Sequence, residues 1–209
     1  MTPKQIFESI YAYIGNKDTI ICNIHSACSP LKGKSYICKQ GRSKVRIIDF
    51  DSVKQQADID KGIESRKSVD SVVTSPSDSY FCFVELKSWK LLINNKGTEK
   101  SIRKQATKYE SDLPLKLTDS IEICKQVTQD NGVFDNCKII YILLTDIPNP
   151  MDQLSGLSRI DANLTALAGT SSNLNLLCNQ LSQNIMDNIP KVETRYWECS
   201  DFDVELSKL

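Results

Sequence analysis

The feature that most constrains this 209-residue sequence is an apolar stretch, residues 80–84, that runs into the charged pair Glu85 and Lys87. Aromatic, thiol and β-branched residues are typical of a buried strand. Side chains alternate along a strand, so Glu85 and Lys87 point to the same face of the sheet. Two charges at the end of a buried strand need a partner: a metal ion, a phosphate, or each other.

A second strand is predicted just upstream, over residues 69–73. The intervening residues 74–79 are rich in the turn formers Ser, Pro and Asp and are too few and too polar for a helix. The two strands therefore form an antiparallel hairpin, which brings Asp70 beside Glu85. Two carboxylates and a lysine suit a magnesium site for phosphodiester cleavage, because Mg²⁺ prefers oxygen ligands and recruits phosphate oxygens.

The order Asp70, fourteen residues, then Glu85-Leu86-Lys87 resembles the PD-(D/E)XK phosphodiesterases. Their motif is an acid, a hairpin of variable length, then Glu or Asp, any residue, and Lys. The proline of the motif is missing here, since Val69 precedes Asp70.

Gln105 and Tyr109 match the Gln-x-x-x-Tyr element of the RecB-like branch of that family. They lie in a predicted helix, where residues four apart share a face. Both side chains can then point into the same site as the hairpin residues.

The resemblance implies an α/β protein with a restriction-endonuclease-like core, a mixed central β-sheet flanked by helices, formed by residues 1–209 as a single domain. It implies a nuclease in which Asp70 and Glu85 bind Mg²⁺ or Mn²⁺ and Lys87 assists the attacking water. Gln105 and Tyr109 would position the lysine or the scissile phosphate.

The family also uses a further acid from an early helix. Glu8 and Glu64 are both candidates for that ligand. Asp49 and Asp51 are acids at a strand end, of which Asp51 is expected to help cap the next helix. The sequence does not choose among them.

Charge indicates where a nucleic acid could bind. The chain has 26 basic and 26 acidic residues, so it is not a free-standing non-specific DNA binder. Residues 87–109 nevertheless carry seven Lys or Arg against one Glu, and residues 19–48 carry six basic residues and no acid. A local basic face predicts binding to a nucleic-acid backbone, and DNA is the expected substrate. Solvated lysine-rich surfaces are the alternative.

No apolar run is long enough to span a membrane, and the N-terminus lacks a secretory pattern. The eight cysteines are therefore expected to be reduced thiols of a cytoplasmic protein. A catalytic domain of this size without a domain for DNA sequence recognition suggests a homo-oligomer or a subunit of a larger complex. The resemblance points to an effector subunit in bacterial restriction or antiviral defence.

Two other interpretations stay open. The first is a non-catalytic binding or assembly subunit of the same fold, whose charged cluster is structural. The second is a zinc-dependent interaction module, since four soft ligands lie within seventeen residues: Cys22, His25, Cys28 and Cys38. Their spacing does not match a zinc-binding motif that coordination geometry would explain. His25 could instead be the upstream histidine that some RecB-like enzymes use as a metal ligand.

The hydrophobic pattern of the rest of the sequence predicts the order of its helices and strands. Helices are expected at 3–14 and 172–188, strands at 19–24, 35–39, 45–50 and 192–199, and a central strand at 138–145. A capping box at Ser52 is expected to open a helix that ends near Gly62. Pro114 is expected to break the helix that carries Gln105, with a second helix following it.

Overall fold

Six strands form one mixed β-sheet with helices against both faces, in a computed structural model that describes residues 1–15, 20–27, 43–63, 66–95, 97–147 and 170–209. The strands are β1 (Ile21–Cys22), β2 (Ile47–Asp49), β3 (Ser71–Thr74), β4 (Tyr80–Lys87), β5 (Lys138–Thr145) and β6 (Glu193–Glu198). The helices in these ranges are α1 (Pro3–Tyr13), α2 (Ile24–Ala27), α3 (Phe50–Lys61), α4 (Trp89–Asn94), α5 (Glu99–Thr128), α6 (Thr170–Asp187) and α7 (Phe202–Ser207), with a 3₁₀ turn at Cys199–Asp201. The predicted α/β class with a mixed sheet flanked by helices is confirmed.

The strands follow chain order across the sheet, from β1 to β6. Strands β1 to β4 pair antiparallel, whereas β4, β5 and β6 pair parallel. The predicted hairpin is formed by β3 and β4, with Ser71 opposite Val84. The return from β4 to β5 passes through α5, as a parallel connection requires.

The core has two layers, one on each face of the sheet. Phe81, Phe83 and Tyr141 pack on the face covered by α1, α3, α5 and α6. Cys82, Val84 and their neighbours on β5 pack on the other face, against α2 and α7. Because β4 and β5 are buried on both faces, their sequences are continuously apolar rather than alternating.

Local signals explain most helix ends. Helix α1 begins with a capping box between Thr2 and Gln5 and has Pro3 in its first turn. Helix α3 ends at Gly62, whose φ of 62° is the left-handed conformation that favours glycine. The predicted capping box at Ser52 is wrong, because Asp49 is the cap: its carboxylate accepts the Asp51 N–H at 3.2 Å.

The predicted helix break at Pro114 is also wrong, since α5 is a single helix of 30 residues that contains Pro114. A proline inside a helix costs about 3 kcal/mol. The apolar face continues across it, with Leu113 and Leu117 buried, and each buried leucine contributes roughly 1.5–3 kcal/mol. Packing therefore outweighs the local cost.

The other predicted elements differ mainly in length. The strands expected at 19–24 and 45–50 are the shorter β1 and β2, and the helix expected at 172–188 begins at Thr170. The strand expected at 35–39 lies outside the described residues. No helix in the described ranges is both long enough and apolar enough to cross a membrane.

Candidate functional site

The β3–β4 hairpin brings Asp70 against the end of β4. Asp70 lies just before β3, and its Oδ2 accepts a hydrogen bond at 2.6 Å from the backbone N–H of Leu86. Its other oxygen, Oδ1, lies 3.7 Å from Lys116 Nζ. Asp70 is therefore held beside Glu85-Leu86-Lys87, as the hairpin predicts.

Glu85 is fully buried at the centre of this group. Its Oε1 accepts hydrogen bonds from Lys87 Nζ and, at 2.7 Å, from Lys116 Nζ. Its Oε2 is buried and has no hydrogen-bond partner among the residues that the structure describes. Burial, with a further contribution from the charge of Asp70, raises the pKa of Glu85 to about 7, although both lysines act in the opposite direction.

Lys87 is half-buried on the same face and stays a cation. Burial lowers its pKa, but the charges of Glu85 and Asp70 outweigh that effect, and the net shift is upward. Its Nζ lies 5.3 Å from the centre of the Tyr109 ring, within cation–π range. A lysine that stays protonated can orient a water molecule or offset negative charge on a phosphate, but it cannot serve as a general base.

Gln105 and Tyr109 reach this group from α5. Burial raises the pKa of Tyr109 to about 12, even though a hydrogen bond with the Gln105 side chain lowers it. The phenol is therefore neutral at physiological pH. The Tyr109 ring also packs edge-on against Trp89, with centroids 5.3 Å apart. Trp89 is only 1% exposed and donates its indole N–H to Ser182 at 2.8 Å, so it is a core residue rather than a surface for base stacking.

Lys116 is the member of the site that sequence reasoning missed. Gln105, Tyr109 and Lys116 are spaced at i, i+4 and i+11, which keeps them on one side of a continuous helix. A helix break at Pro114, as expected from the sequence, would place Lys116 in a different helix from Gln105 and Tyr109. The signal that could have found it is its seven-residue spacing from Tyr109.

Tyr141 is a second buried group that the sequence did not single out. It lies on β5 opposite Phe83, two pairs before the pair of Leu143 and Glu85, and so on the same face as Glu85. Within the described part of the chain, its hydroxyl has no hydrogen-bond partner. Burial first, and then the charges of Glu85 and Asp70, raise its pKa well above the usual value.

The acid pair has oxygens that fit a hard divalent cation. Glu85 Oε2 is buried and lacks a partner among the described residues, and Asp70 Oδ1 makes the longer contact, 3.7 Å, to Lys116. Carboxylate oxygens are the donors that Mg²⁺ and Mn²⁺ prefer. Within the described ranges, no group of three or more His, Cys, Asp or Glu is arranged to hold a metal ion.

The predicted additional acid stays a prediction. Glu8 is exposed on α1. That helix begins beside the hairpin turn, where the Lys4 N–H donates to Asp78 Oδ1 at 2.6 Å, whereas Glu85 lies at the opposite end of β4. Glu64 lies outside the described residues.

Only two of the four candidate zinc ligands lie within the described residues. Cys22 lies on β1 and His25 on α2. Burial, followed by the charge of Asp49, raises the pKa of the Cys22 thiol to about 11. Cys28 and Cys38 lie outside the described residues.

Comparisons of this chain with known proteins gave no match. No family model matches the chain, and neither the curated proteins nor the solved structures contain a significant match.

Proposed function

We propose that this chain is a Mg²⁺-dependent nuclease of the PD-(D/E)XK type with a restriction-endonuclease-like core, and that it hydrolyses phosphodiester bonds in DNA. The observation that carries the proposal is the grouping of two acids and a lysine at the end of one hairpin. Asp70 Oδ2 accepts the Leu86 N–H at 2.6 Å, and Glu85 accepts hydrogen bonds from Lys87 and Lys116.

The second matching element supports the same proposal. Gln105 and Tyr109 resemble a family motif that is separate from the hairpin motif, and they come from a helix rather than the sheet. The Tyr109 ring nevertheless lies 5.3 Å from Lys87 Nζ. Two motifs that are separate in sequence thus meet at one lysine, which chance surface charges would not produce.

Each residue has a role that follows from its contacts. Asp70 Oδ1 and Glu85 Oε2 would hold the divalent ion, which when bound supplies Lewis-acid activation and neutralises charge on the phosphate. Lys87 is held as a cation by Glu85 and by the Tyr109 ring, so it would orient the attacking water and offset negative charge. Gln105, through the Tyr109 hydroxyl, would fix the ring against Lys87.

A row of basic residues beside the site supports a nucleic-acid substrate. Lys100, Lys104 and Lys108 are spaced four apart along α5 and are exposed. Lys104 and Lys108 directly precede Gln105 and Tyr109, so the row follows the flank of α5 next to the face that carries those two residues. Such a row would contact successive phosphates of a backbone.

One observation favours the alternative of a non-catalytic subunit. The two carboxylates of Asp70 and Glu85 are balanced by the two ammonium groups of Lys87 and Lys116. A balanced buried cluster can be purely structural. A binding or assembly protein of the same fold would therefore contain the same contacts.

Cleavage assays separate these two functions. Purified protein is incubated with supercoiled plasmid, linear DNA and RNA, with Mg²⁺, with Mn²⁺ and with a chelator, beside Lys87→Met and Asp70→Asn. Lys125→Met is the matched control, because Lys125 lies on the same helix as the site and pairs with Glu122 at 2.7 Å.

We expect metal-dependent cleavage of DNA by the wild type and by Lys125→Met, with at least about 100-fold slower cleavage by the other two variants. If all four proteins are equally inert on DNA and RNA while folded, the nuclease proposal fails and the structural alternative stands.

A further inference from the structure

Lys116 lies between the two acids of the site. Its Nζ is 2.7 Å from Glu85 Oε1 and 3.7 Å from Asp70 Oδ1. The nearer contact is a direct charge-assisted hydrogen bond, and the longer one is within ion-pair distance. One ammonium therefore links the two carboxylates that the proposed function assigns to the metal ion.

Among the contacts that Asp70 and Glu85 make, the one to Lys116 is the contact that can be released. Asp70 Oδ2 is bound by the backbone N–H of Leu86, which is part of the sheet. Lys87 is fixed by its position on β4 and by its contact with the Tyr109 ring. Lys116 instead extends from α5, and 21% of its side chain is exposed, as is 28% of the Asp70 side chain. The exposed fraction of the Lys87 side chain is similar, at 18%, so the two lysines differ in the element that carries them and not in their access to solvent.

Charge opposes the simultaneous presence of Lys116 and a divalent ion. With both lysines in place, the cluster of Asp70, Glu85, Lys87 and Lys116 is neutral. A doubly charged ion would then enter a site with no net attraction, next to an ammonium at hydrogen-bond distance from one of its ligands. With Lys116 withdrawn, the same site carries one net negative charge, and Glu85 Oε1 loses the bond to Lys116 while it keeps the bond to Lys87.

We propose that Lys116 is an internal cation that holds the acid pair together and competes with the divalent ion, so that Lys116 sets the metal concentration the site requires. This inference rests on the proposed function, since it takes Asp70 and Glu85 as the ligands. It assigns Lys116 a positioning role distinct from that of Lys87, which keeps its contacts whether or not the ion is bound.

Metal affinity is the direct test. Mn²⁺ binding is measured by calorimetry and by paramagnetic resonance, without nucleic acid, for the wild type, Lys116→Met, Lys116→Arg and Lys125→Met. We expect Lys116→Met to bind Mn²⁺ about tenfold or more tightly than the wild type, because a unit charge within about 4–6 Å shifts an ionic equilibrium by roughly one to three powers of ten. Lys116→Arg keeps the positive charge and Lys125→Met leaves the site unchanged, so both variants should bind Mn²⁺ with the affinity of the wild type.

A measurement on the unmodified chain complements the variants and does not depend on their folding. Acetylation of each lysine is followed by mass spectrometry with and without Mn²⁺. Lys116 should become more reactive when Mn²⁺ is added, by about threefold or more if the ammonium is released to solvent. Lys125 should not change.

The outcomes separate this inference from the proposed function. If the wild type and Lys116→Met bind Mn²⁺ equally, and Lys116 reactivity does not respond to the ion, then Lys116 does not compete and the metal site itself stands. If neither protein binds Mn²⁺, both proposals are wrong. Tighter binding by Lys116→Met that is abolished by adding Asp70→Asn supports the inference.

Discussion

Asp70 Oδ2 accepts a hydrogen bond at 2.6 Å from the backbone N–H of Leu86, the residue between Glu85 and Lys87. Ser71 is already paired with Val84, so the Asp70 carboxylate continues the β3–β4 contact beyond the last backbone pair. This single bond fixes the acid against the other two groups of the motif.

Asp70→Ala should therefore destabilise the protein as well as inactivate it. Loss of a charged acceptor from a partly buried N–H costs about 1.5–3 kcal/mol. Asp70→Asn keeps a carbonyl oxygen that can accept the same bond, so it should recover most of that stability while still losing cleavage. Urea unfolding of both variants measures the difference, and equal losses of stability would contradict a specific role for the Leu86 bond.

Stability should depend on pH through Glu85. Its folded-state pKa is raised from 4.5 to about 7, mainly by burial. A raised carboxyl pKa favours the folded state below pH 4.5 and loses that contribution as pH rises toward 7, by about 3 kcal/mol. The unfolding free energy of the wild type minus that of Glu85→Gln should thus fall between pH 4.5 and pH 7. Glu122→Gln, an exposed acid on α5, serves as the control, and a pH-independent difference for Glu85→Gln would refute the shift.

The Tyr109 ring, rather than its hydroxyl, should support Lys87. The ring lies 5.3 Å from Lys87 Nζ and packs against Trp89. A partly buried cation–π contact is worth about 0.5–2 kcal/mol, so Tyr109→Leu should slow cleavage by roughly 3- to 30-fold. Tyr109→Phe keeps the ring and loses only the hydrogen bond with Gln105, so it should slow cleavage less than Tyr109→Leu does. Equal impairment of both variants would instead show that the hydroxyl contacts the substrate.

The exposed lysines on α5 should contribute to DNA affinity but not to sequence preference. Lys104→Gln with Lys108→Gln should reduce the slope of log K against log salt by about 1.5–2, as expected for two phosphate contacts. Lys138→Gln with Lys191→Gln is the matched control, because these exposed lysines lie at the starts of β5 and β6, opposite the end where Lys87 lies. Binding is measured by fluorescence anisotropy in the inactive Lys87→Met background, and the same slope in both pairs would argue against a binding row.

Pro114→Ala should stabilise the protein, because α5 continues through this position and proline deprives it of one backbone hydrogen bond. The gain is expected to be about 1–3 kcal/mol of unfolding free energy. Leu115→Ala, at a neighbouring side chain that is 44% exposed, should change little. Reduced stability of Pro114→Ala, by thermal or urea unfolding, would show that the helix is adapted to the proline.

Local pattern determined the hairpin, the strand at 138–145 and the helix that carries Gln105 and Tyr109. Strand alternation and helix periodicity depend on residues only a few positions apart, so the sequence sufficed to predict that Asp70, Glu85 and Lys87 would meet. The assignment of these residues to catalysis stays a prediction.

Tertiary structure alone decided how the charges at the end of β4 are balanced. Lys116 is 31 residues from Glu85, and it reaches Oε1 only because α5 does not stop at Pro114. That continuity depends on the burial of Leu113 and Leu117 against the rest of the molecule, an energy that no local pattern contains. The sequence thus identified the acids and one lysine, and packing across the core supplied the second.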